Sequence, residues 1–291
     1  MADVVARLRV ESDLRRGKPY LWGHQEGGHW ARDLATWAEI CRYALSCSEL
    51  AAATAGRSAA YYGRRRSLGQ VDPRKDRERA LAGNWTATRA AATAIDVPPG
   101  NGAEAEMTRV LEALTHPGPF LAFSNGDPGE SNFLVLESDG RIIDFEFAGY
   151  RHALLDGACL HLPGPRWIAF PDPARSGLEA FYRSALTACI PEAADDQVYG
   201  AAIAAATIAT AFERTANRIA KVDARPAGDG SRPQIITTLE YAAAVASMHR
   251  SFPNLAGWCR RLAATLRRRS PDADRLLKSV GTRSPIWIRR T

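Results

Sequence analysis

No pair of cysteines in this chain has C-x-x-C spacing, and the five present (Cys41, Cys47, Cys159, Cys189, Cys259) are odd in number and scattered. That argues against a zinc site and against a disulfide framework; small buried thiols in a reducing cytosol are expected instead. Long apolar runs are missing as well. The longest, Ala201 to Ala211, is interrupted by threonine and falls far short of the ~20 residues that cross a bilayer, so no membrane contact is expected. The first residues carry no apolar h-region, so no signal peptide is read. A cytoplasmic protein is the expectation. Lysine is scarce beside arginine, and Lys18 is the only lysine before Lys75. The net charge of +6 is therefore mostly guanidinium. It is compatible with an anionic ligand such as a nucleotide, and plain solubility explains it too.

What remains is ordinary for a globular chain. With 291 residues, 46% hydrophobic and 24% charged, there is enough material for one large domain or two small ones with a full core. Helical spacing of Leu34, Trp37, Ile40 and Leu45 behind Asp33 predicts a helix to about Ala55. The basic stretch 57–77 reads as a helix end and a loop. Further helices are expected near 76–95, 103–114, 174–189, 196–221, 234–251 and 254–269, with a Pro/Gly-rich loop from Asp223 to Pro233. A short strand is expected within Val4 to Val10, and a loop over Glu11 to Gly28. Between the helices the period changes. Phe133 to Leu136 and Arg141 to Ile143 flank Ser138-Asp139-Gly140, the chemistry of a tight hairpin turn. The expected fold class is mainly α with one small β-hairpin (α+β).

The hairpin carries the chemistry. Ser124-Asn125-Gly126-Asp127 precedes its first strand, Asn132 enters it, and Asp144 leaves the second strand within Ile142-Ile143-Asp144-Phe145-Glu146. The two ends of a hairpin lie side by side, so Asp127, Asn132 and Asp144 converge. One carboxylate there can deprotonate a hydroxyl, while an amide oxygen and a second carboxylate suit magnesium on a nucleotide's phosphates. Asp156, twelve residues beyond Asp144, is expected to accept backbone N–H bonds from the Asp127 loop. Against this stands the ordinary use of Asp and Asn in turns; the whole ordered set is harder to explain that way than any one member.

This segment resembles the catalytic and metal-binding region of the aminoglycoside phosphotransferase and choline kinase-like superfamily, which shares the protein kinase fold. The family pattern is His-Gly-Asp-x4-Asn, then Ile-Asp-[Trp/Phe]-Glu and a later Asp. The resemblance implies Asp127 as catalytic base, Asn132 and Asp144 as magnesium ligands, and Asp156 as brace of the catalytic loop. Asn125 stands where the family has His, a scaffold position. The stretch from His116 to Leu162 is similar to actinobacterial phosphotransferase-like members, and Leu34 to Arg57 resembles a family helix, with Ser48-Glu49-Leu50 in place of its usual Leu-His. The implied reaction transfers the γ-phosphate of ATP, with Mg2+, to a hydroxyl of a small molecule.

In that family a nucleotide-binding lobe with a glycine-rich loop and a strand lysine comes first. Here no G-x-G-x-x-G precedes Asp127. Leu8 to Asp13 aligns with the lobe's last strand and hinge, which makes Glu11 and Asp13 the hinge positions beside an adenine. The expected organisation is a lobe remnant over 1–30, a helical lobe over 31–270 with the catalytic hairpin at 119–147, and a basic tail over 271–291. Three explanations stay open: a start placed too late, a descendant without the lobe that binds rather than catalyses, or a lobe supplied by a partner chain or second copy.

Other candidates are weaker. His24, Glu26 and His29 sit on a Gly-rich stretch with no further ligand nearby. The arginine runs 64–66 and 267–269 lack aromatic interleaving and read as solvated helix ends, with no nucleic-acid partner expected. Trp22, Trp30 and Trp37 are expected to pack the helix that Asp33 begins. Beyond residue 173 there are 18 Lys/Arg and 10 Asp/Glu, a poor match for a polycationic substrate. Glu146, Asp172, Glu179 and Glu213 are the possible substrate-side carboxylates.

Overall fold

Asp195 begins the element around which the others pack. Its side chain accepts the Gln197 and Val198 N–H groups at 2.8 and 3.0 Å, and the helix it caps runs Asp196–Ile219. The computed structural model describes residues 37–69, 71–128, 132–135, 140–163, 174–226 and 229–275. In chain order the elements are α1 (Trp37–Thr54), α2 (Ser58–Arg66), α3 (Pro73–Thr93), α4 (Asn101–Thr115), β1 (Leu121–Ser124), β2 (Phe133–Val135), β3 (Gly140–Ile142), β4 (Gly149–His152), α5 (Leu154–Gly157), α6 (Ala174–Thr187), α7 (Asp196–Ile219), α8 (Ser231–Met248) and α9 (Pro253–Arg269).

The apolar run from Ala201 belongs to α7, which is buried over nearly its whole circumference. Its many alanines let neighbouring helices approach closely. α3, α8, α4 and α5 all pack on it, and α9 closes over α8 and α4. Trp85, Phe212 and Trp258, from three different helices, meet with ring centroids 5.3–5.6 Å apart. Trp258 donates its indole N–H to the Val97 carbonyl at 2.9 Å, so the ring is buried without a stranded donor. Among the described residues no helix is long and apolar enough to cross a membrane.

Sequence periodicity locates most helices to within a few residues, α2 excepted. That arginine-rich stretch was expected to be a helix end and a loop, and Tyr62 is its one buried residue, so it has no apolar stripe to read. The expectation of a single hairpin is also corrected. β2 and β3 pair antiparallel, Phe133 opposite Ile142. A second antiparallel pair joins β1 to β4, Leu121 opposite His152 and Ser124 opposite Gly149. Four-residue strands separated by a long excursion give no local signal. The expected strand within 4–10, the histidines at 24 and 29, Trp22, Trp30 and the 271–291 tail lie wholly or mostly outside the described residues. Cys47 and Cys259 are buried as expected, but Cys189 is exposed and Cys159 only half-buried. The arginine runs do end helices: Arg267 pairs with Glu240 at 2.7 Å, and Arg269 with Asp223.

α9 begins without a capping side chain of its own, because Phe252 occupies the cap position at φ 50°. Glu106 of α4 supplies the acceptor instead. Its Oε1 accepts from Asn254 Nδ2 at 2.7 Å and its Oε2 from the Leu255 N–H at 2.8 Å. A buried carboxylate at a helix N-terminus satisfies exposed backbone donors and meets the positive end of the dipole. Glu106→Ala strands those donors and should cost about 3 kcal/mol in urea unfolding; a loss under about 0.5 kcal/mol, the range of ordinary surface changes, would sink the role.

Candidate active site

β1 delivers the chain to Ser124-Asn125-Gly126-Asp127. The strand is anchored to α1, where Thr54 Oγ1 accepts the Phe123 N–H at 2.9 Å and the Thr54 carbonyl accepts Tyr150 OH at 3.1 Å. Tyr61, Phe123 and Tyr150 pack with centroids 5.2–5.7 Å apart. The loop then turns through Gly126 at φ 86°. A Cβ there would stand 2.2 Å from the Phe147 carbonyl oxygen, so only glycine fits. Arg151 laces the same place, donating to the Phe147 oxygen at 2.7 Å and the Gly126 oxygen at 3.4 Å.

Asp127 is exposed at the end of this turn, and the residues behind it hold its shape. Asn132 Nδ2 donates to the Asp127 backbone oxygen at 2.8 Å and to its carboxylate Oδ2 at 3.0 Å. Asn125, buried, donates to the Asp127 backbone oxygen at 3.1 Å and the Ile143 oxygen at 3.4 Å. The Ile143 N–H in turn reaches the Asn132 oxygen at 2.8 Å. Thus the backbone entering Asp144 is tied both to Asn132 and to the Asp127 loop. Asp144 is half-buried and lies at φ 61°, a left-handed conformation that Asp tolerates better than most residues and that concentrates at functional sites. With the Asn132 nitrogen committed to Asp127, its Oδ1 is the end left for a cation. Among the described residues no three His, Cys, Asp or Glu side chains cluster as a metal site. An amide plus a carboxylate nonetheless suits magnesium, which commonly takes its other oxygens from phosphates and water.

Asp156, in α5, is buried. It was expected to take backbone N–H groups directly. Instead the Ser124 hydroxyl stands between: the Gly126 N–H donates to Ser124 Oγ at 2.9 Å, and that hydroxyl donates to Asp156 Oδ1 at 2.6 Å. The carboxylate sits one residue layer too deep to reach the loop backbone. Ser124 carries no motif signal in the sequence and was missed. Glu11, Asp13 and Asp172 lie outside the described residues, and Glu146 is exposed. Glu179 is buried elsewhere, 3.2 Å from His161 and 2.9 Å from His249. Glu213 does share a site with Asp127. Both line a cavity of about 680 Å³ that extends between α2, α3 and α7, together with Arg77, Arg151, Arg214 and Arg218. These arginines were not singled out in the sequence, because they come from two helices and a strand. No protein-family model matches the chain, and no curated protein matches it.

Burial pushes the Asp156 carboxyl up to about 6 from 3.8, against the Ser124 hydrogen bond and the Arg151 charge that pull it down. Burial pushes His152 down to about 3 from 6.5; its Nδ1 accepts the Leu154 N–H at 3.2 Å. As pH falls from about 6 to 4, the folded state takes up a proton at Asp156 that the unfolded chain does not hold, which stabilises the fold. His152 acts oppositely over the same window, because there only the unfolded chain is protonated. Removing the first effect leaves the second unopposed. Between about pH 7 and pH 4, the stability difference between wild type and Asp156→Asn should move toward the wild type by about 2 kcal/mol. A difference that is the same at both ends refutes the assignment of the buried proton.

Proposed function

We propose that this chain forms the catalytic, mainly helical part of a small-molecule phosphotransferase of the aminoglycoside phosphotransferase type, with a protein-kinase-like lobe. The reading rests on one observation. An exposed carboxylate, Asp127, lines a cavity while Asn125, Asn132 and Gly126 fix its loop, and the backbone of Ile143, just before Asp144, is bonded to Asn132 and Asn125. Positioning and electrostatics supply nearly all catalysis in phosphoryl transfer, and this arrangement is a positioning device.

In the proposed reaction Asp127 accepts the proton of a substrate hydroxyl while that oxygen bonds to the γ-phosphorus of ATP. The bond from phosphorus to the bridging oxygen breaks, and ADP leaves with its electron pair. Asn132 keeps the Asp127 carboxylate aimed through its amide N–H. The Asn132 amide oxygen and the Asp144 carboxylate would hold Mg2+, which when bound neutralises charge on the phosphate oxygens. Gly126 leaves room for the Phe147 carbonyl, and Asp156 holds the turn through Ser124.

A second reading has its own support. β1 to β4 carry no lysine, so among the described strands nothing corresponds to the lysine that orients ATP phosphates in kinases. On that reading the chain is a non-catalytic kinase-fold protein that binds a partner or ligand. In the first reading the cover over the nucleotide comes from a partner chain, a second copy or a segment outside the described residues.

Calorimetry and turnover separate the two. MgATP should bind the full chain with a dissociation constant no weaker than about 1 mM. Asp127→Asn should leave that binding within about twofold and lower turnover by 10²–10⁴, the usual worth of a positioned base. Absence of heat at millimolar nucleotide, or turnover unchanged in Asp127→Asn, would sink the enzyme reading.

A further inference from the structure

Four of the arginines that line the cavity in front of Asp127 make their hydrogen bonds to neutral groups. Arg77 donates to the Thr115 carbonyl at 2.8 Å and the Tyr62 hydroxyl at 3.3 Å. Arg151 donates to the carbonyls of Gly126 and Phe147. Arg214 donates to the Pro163 carbonyl at 2.9 Å and Cys159 Sγ at 3.2 Å. Arg218 donates to Gln234 Oε1 at 2.7 Å. Every one of these acceptors is neutral. Among the described residues none of the four guanidinium groups has a carboxylate within ion-pair distance, although other arginines of the chain do. The Cys159 thiol is not an anion either, since burial pushes it up to about 12.

Half-buried cations are normally paired, because desolvation without a counter-charge is costly. Arg77, Arg151 and Arg214 are half-buried, and each guanidinium keeps N–H groups beyond those already used. Of the two exposed carboxylates of the cavity, Asp127 is held by Asn132, and Glu213 is raised by desolvation while the Arg151 and Arg214 charges pull it down, so it offsets only part of the positive charge. The position of the cavity also matters. Asp127 lines it, while Asn132 and Asp144 do not. An acceptor that reaches Asp127 is therefore better placed in this cavity than a phosphate held by a metal on Asn132 and Asp144.

We propose that this cavity takes an anionic acceptor: a small hydroxyl compound carrying a carboxylate or phosphate group, held by Arg77, Arg151, Arg214 and Arg218 so that its hydroxyl meets Asp127. The fate of the hydroxyl rests on the phosphotransferase reading; the anion site does not. Planar guanidinium groups from several directions suit carboxylate and phosphate oxygens alike. A polycation meets the same arginines as repulsion.

The test uses the full chain and four probes on short hydroxyl scaffolds: D-glycerate (carboxylate), glycerol 3-phosphate, glycerol (neutral) and ethanolamine (cationic). Calorimetry should give at least one anion binding about tenfold or more tighter than glycerol, with ethanolamine weakest, and the preference should shrink as salt is raised. The better of glycerate and glycerol 3-phosphate identifies which anion the site is shaped for. Arg218→Gln, at the exposed rim and checked for native circular dichroism, should weaken the anion about three- to tenfold while MgADP affinity moves less than twofold. Arg214→Lys keeps the charge but loses the fork, and should weaken it by a smaller factor. Glycerol or ethanolamine binding as tightly as both anions, or no heat from any probe at about 10 mM, overturns the proposal. So does an Arg218→Gln that weakens MgADP and anion equally, since the arginines would then belong to the nucleotide. Anion binding without nucleotide binding keeps this inference and removes the phosphotransferase reading; nucleotide binding without an anion preference does the reverse.

Discussion

The hydrogen-bond relay Gly126 N–H to Ser124 Oγ–H to Asp156 decides the shape of everything at the mouth of the cavity. Ser124 can receive one bond and give one, so the relay has a direction, and only an ionised or acceptor-oriented carboxyl terminates it. The arrangement is costly. Raising a carboxyl from 3.8 to about 6 means that its ionised form in the fold carries about 3 kcal/mol at neutral pH. A protein selected for stability alone would place an amide or an apolar residue there. What the carboxylate gains is a fixed Gly126 peptide, and that peptide fixes Asp127 immediately after it.

The rest of the molecule holds the two ends of this relay still. Ser124 lies at the end of β1, pinned to α1 through Thr54 and to β4 through strand pairing. Asp156 lies on α5, which is wedged against α7, while the Tyr182 hydroxyl of α6 holds the Ala153 carbonyl at 3.0 Å just before it. Gly157 allows that close approach: a Cβ would lie 3.0 Å from the Tyr182 ring. Two small sheets thus do different work. β1 and β4 bring residues 124 and 149 together; β2 and β3 bring residues 132 and 143 together. The loop containing Asp127 is the link between them.

The sequence showed the second of these sheets and not the first. Phe133 to Ile143 announces itself by alternation and an Asp-Gly turn, and it placed Asp127, Asn132 and Asp144 on one hairpin. The pairing of Leu121–Ser124 with Gly149–His152 depends on tertiary contacts with the α1 and α2 tyrosines and threonine, which have no period to read. Helices were legible where one face is apolar, as in α4 and α9, and illegible in α2, which has no apolar stripe and whose packing rests on two aromatic rings. Asp156 was legible as a support from its spacing, and Asn125 only through the family resemblance, as the residue in a scaffold position. Ser124 was not, because a serine that relays one hydrogen bond looks like any serine. The cavity arginines were not, because guanidinium groups at 77, 151, 214 and 218 become neighbours only after α3, β4 and α7 have packed.

That last point bears on how such a site works. A loop fixed as tightly as 124–127 contributes orientation for one carboxylate and nothing else; it cannot select a substrate. Selection has to come from groups carried on the helices around the cavity, which differ in sequence from the hairpin and tolerate change independently of it. Arg214 and Arg218 occupy successive turns of α7, the most buried helix of the fold, while the helix surface they occupy faces the cavity. A rigid, apolar helix presenting two cations on one face is a fixed electrostatic wall, whereas Asp127 is a fixed electrostatic point opposite it. On the proposed phosphotransferase reading, a ligand that satisfies both carries its negative charge and its reacting hydroxyl at a set separation. On that reading, specificity is tied to the packing of α7, and a substitution that shifts that helix changes which hydroxyl reaches Asp127 even if the loop itself does not move.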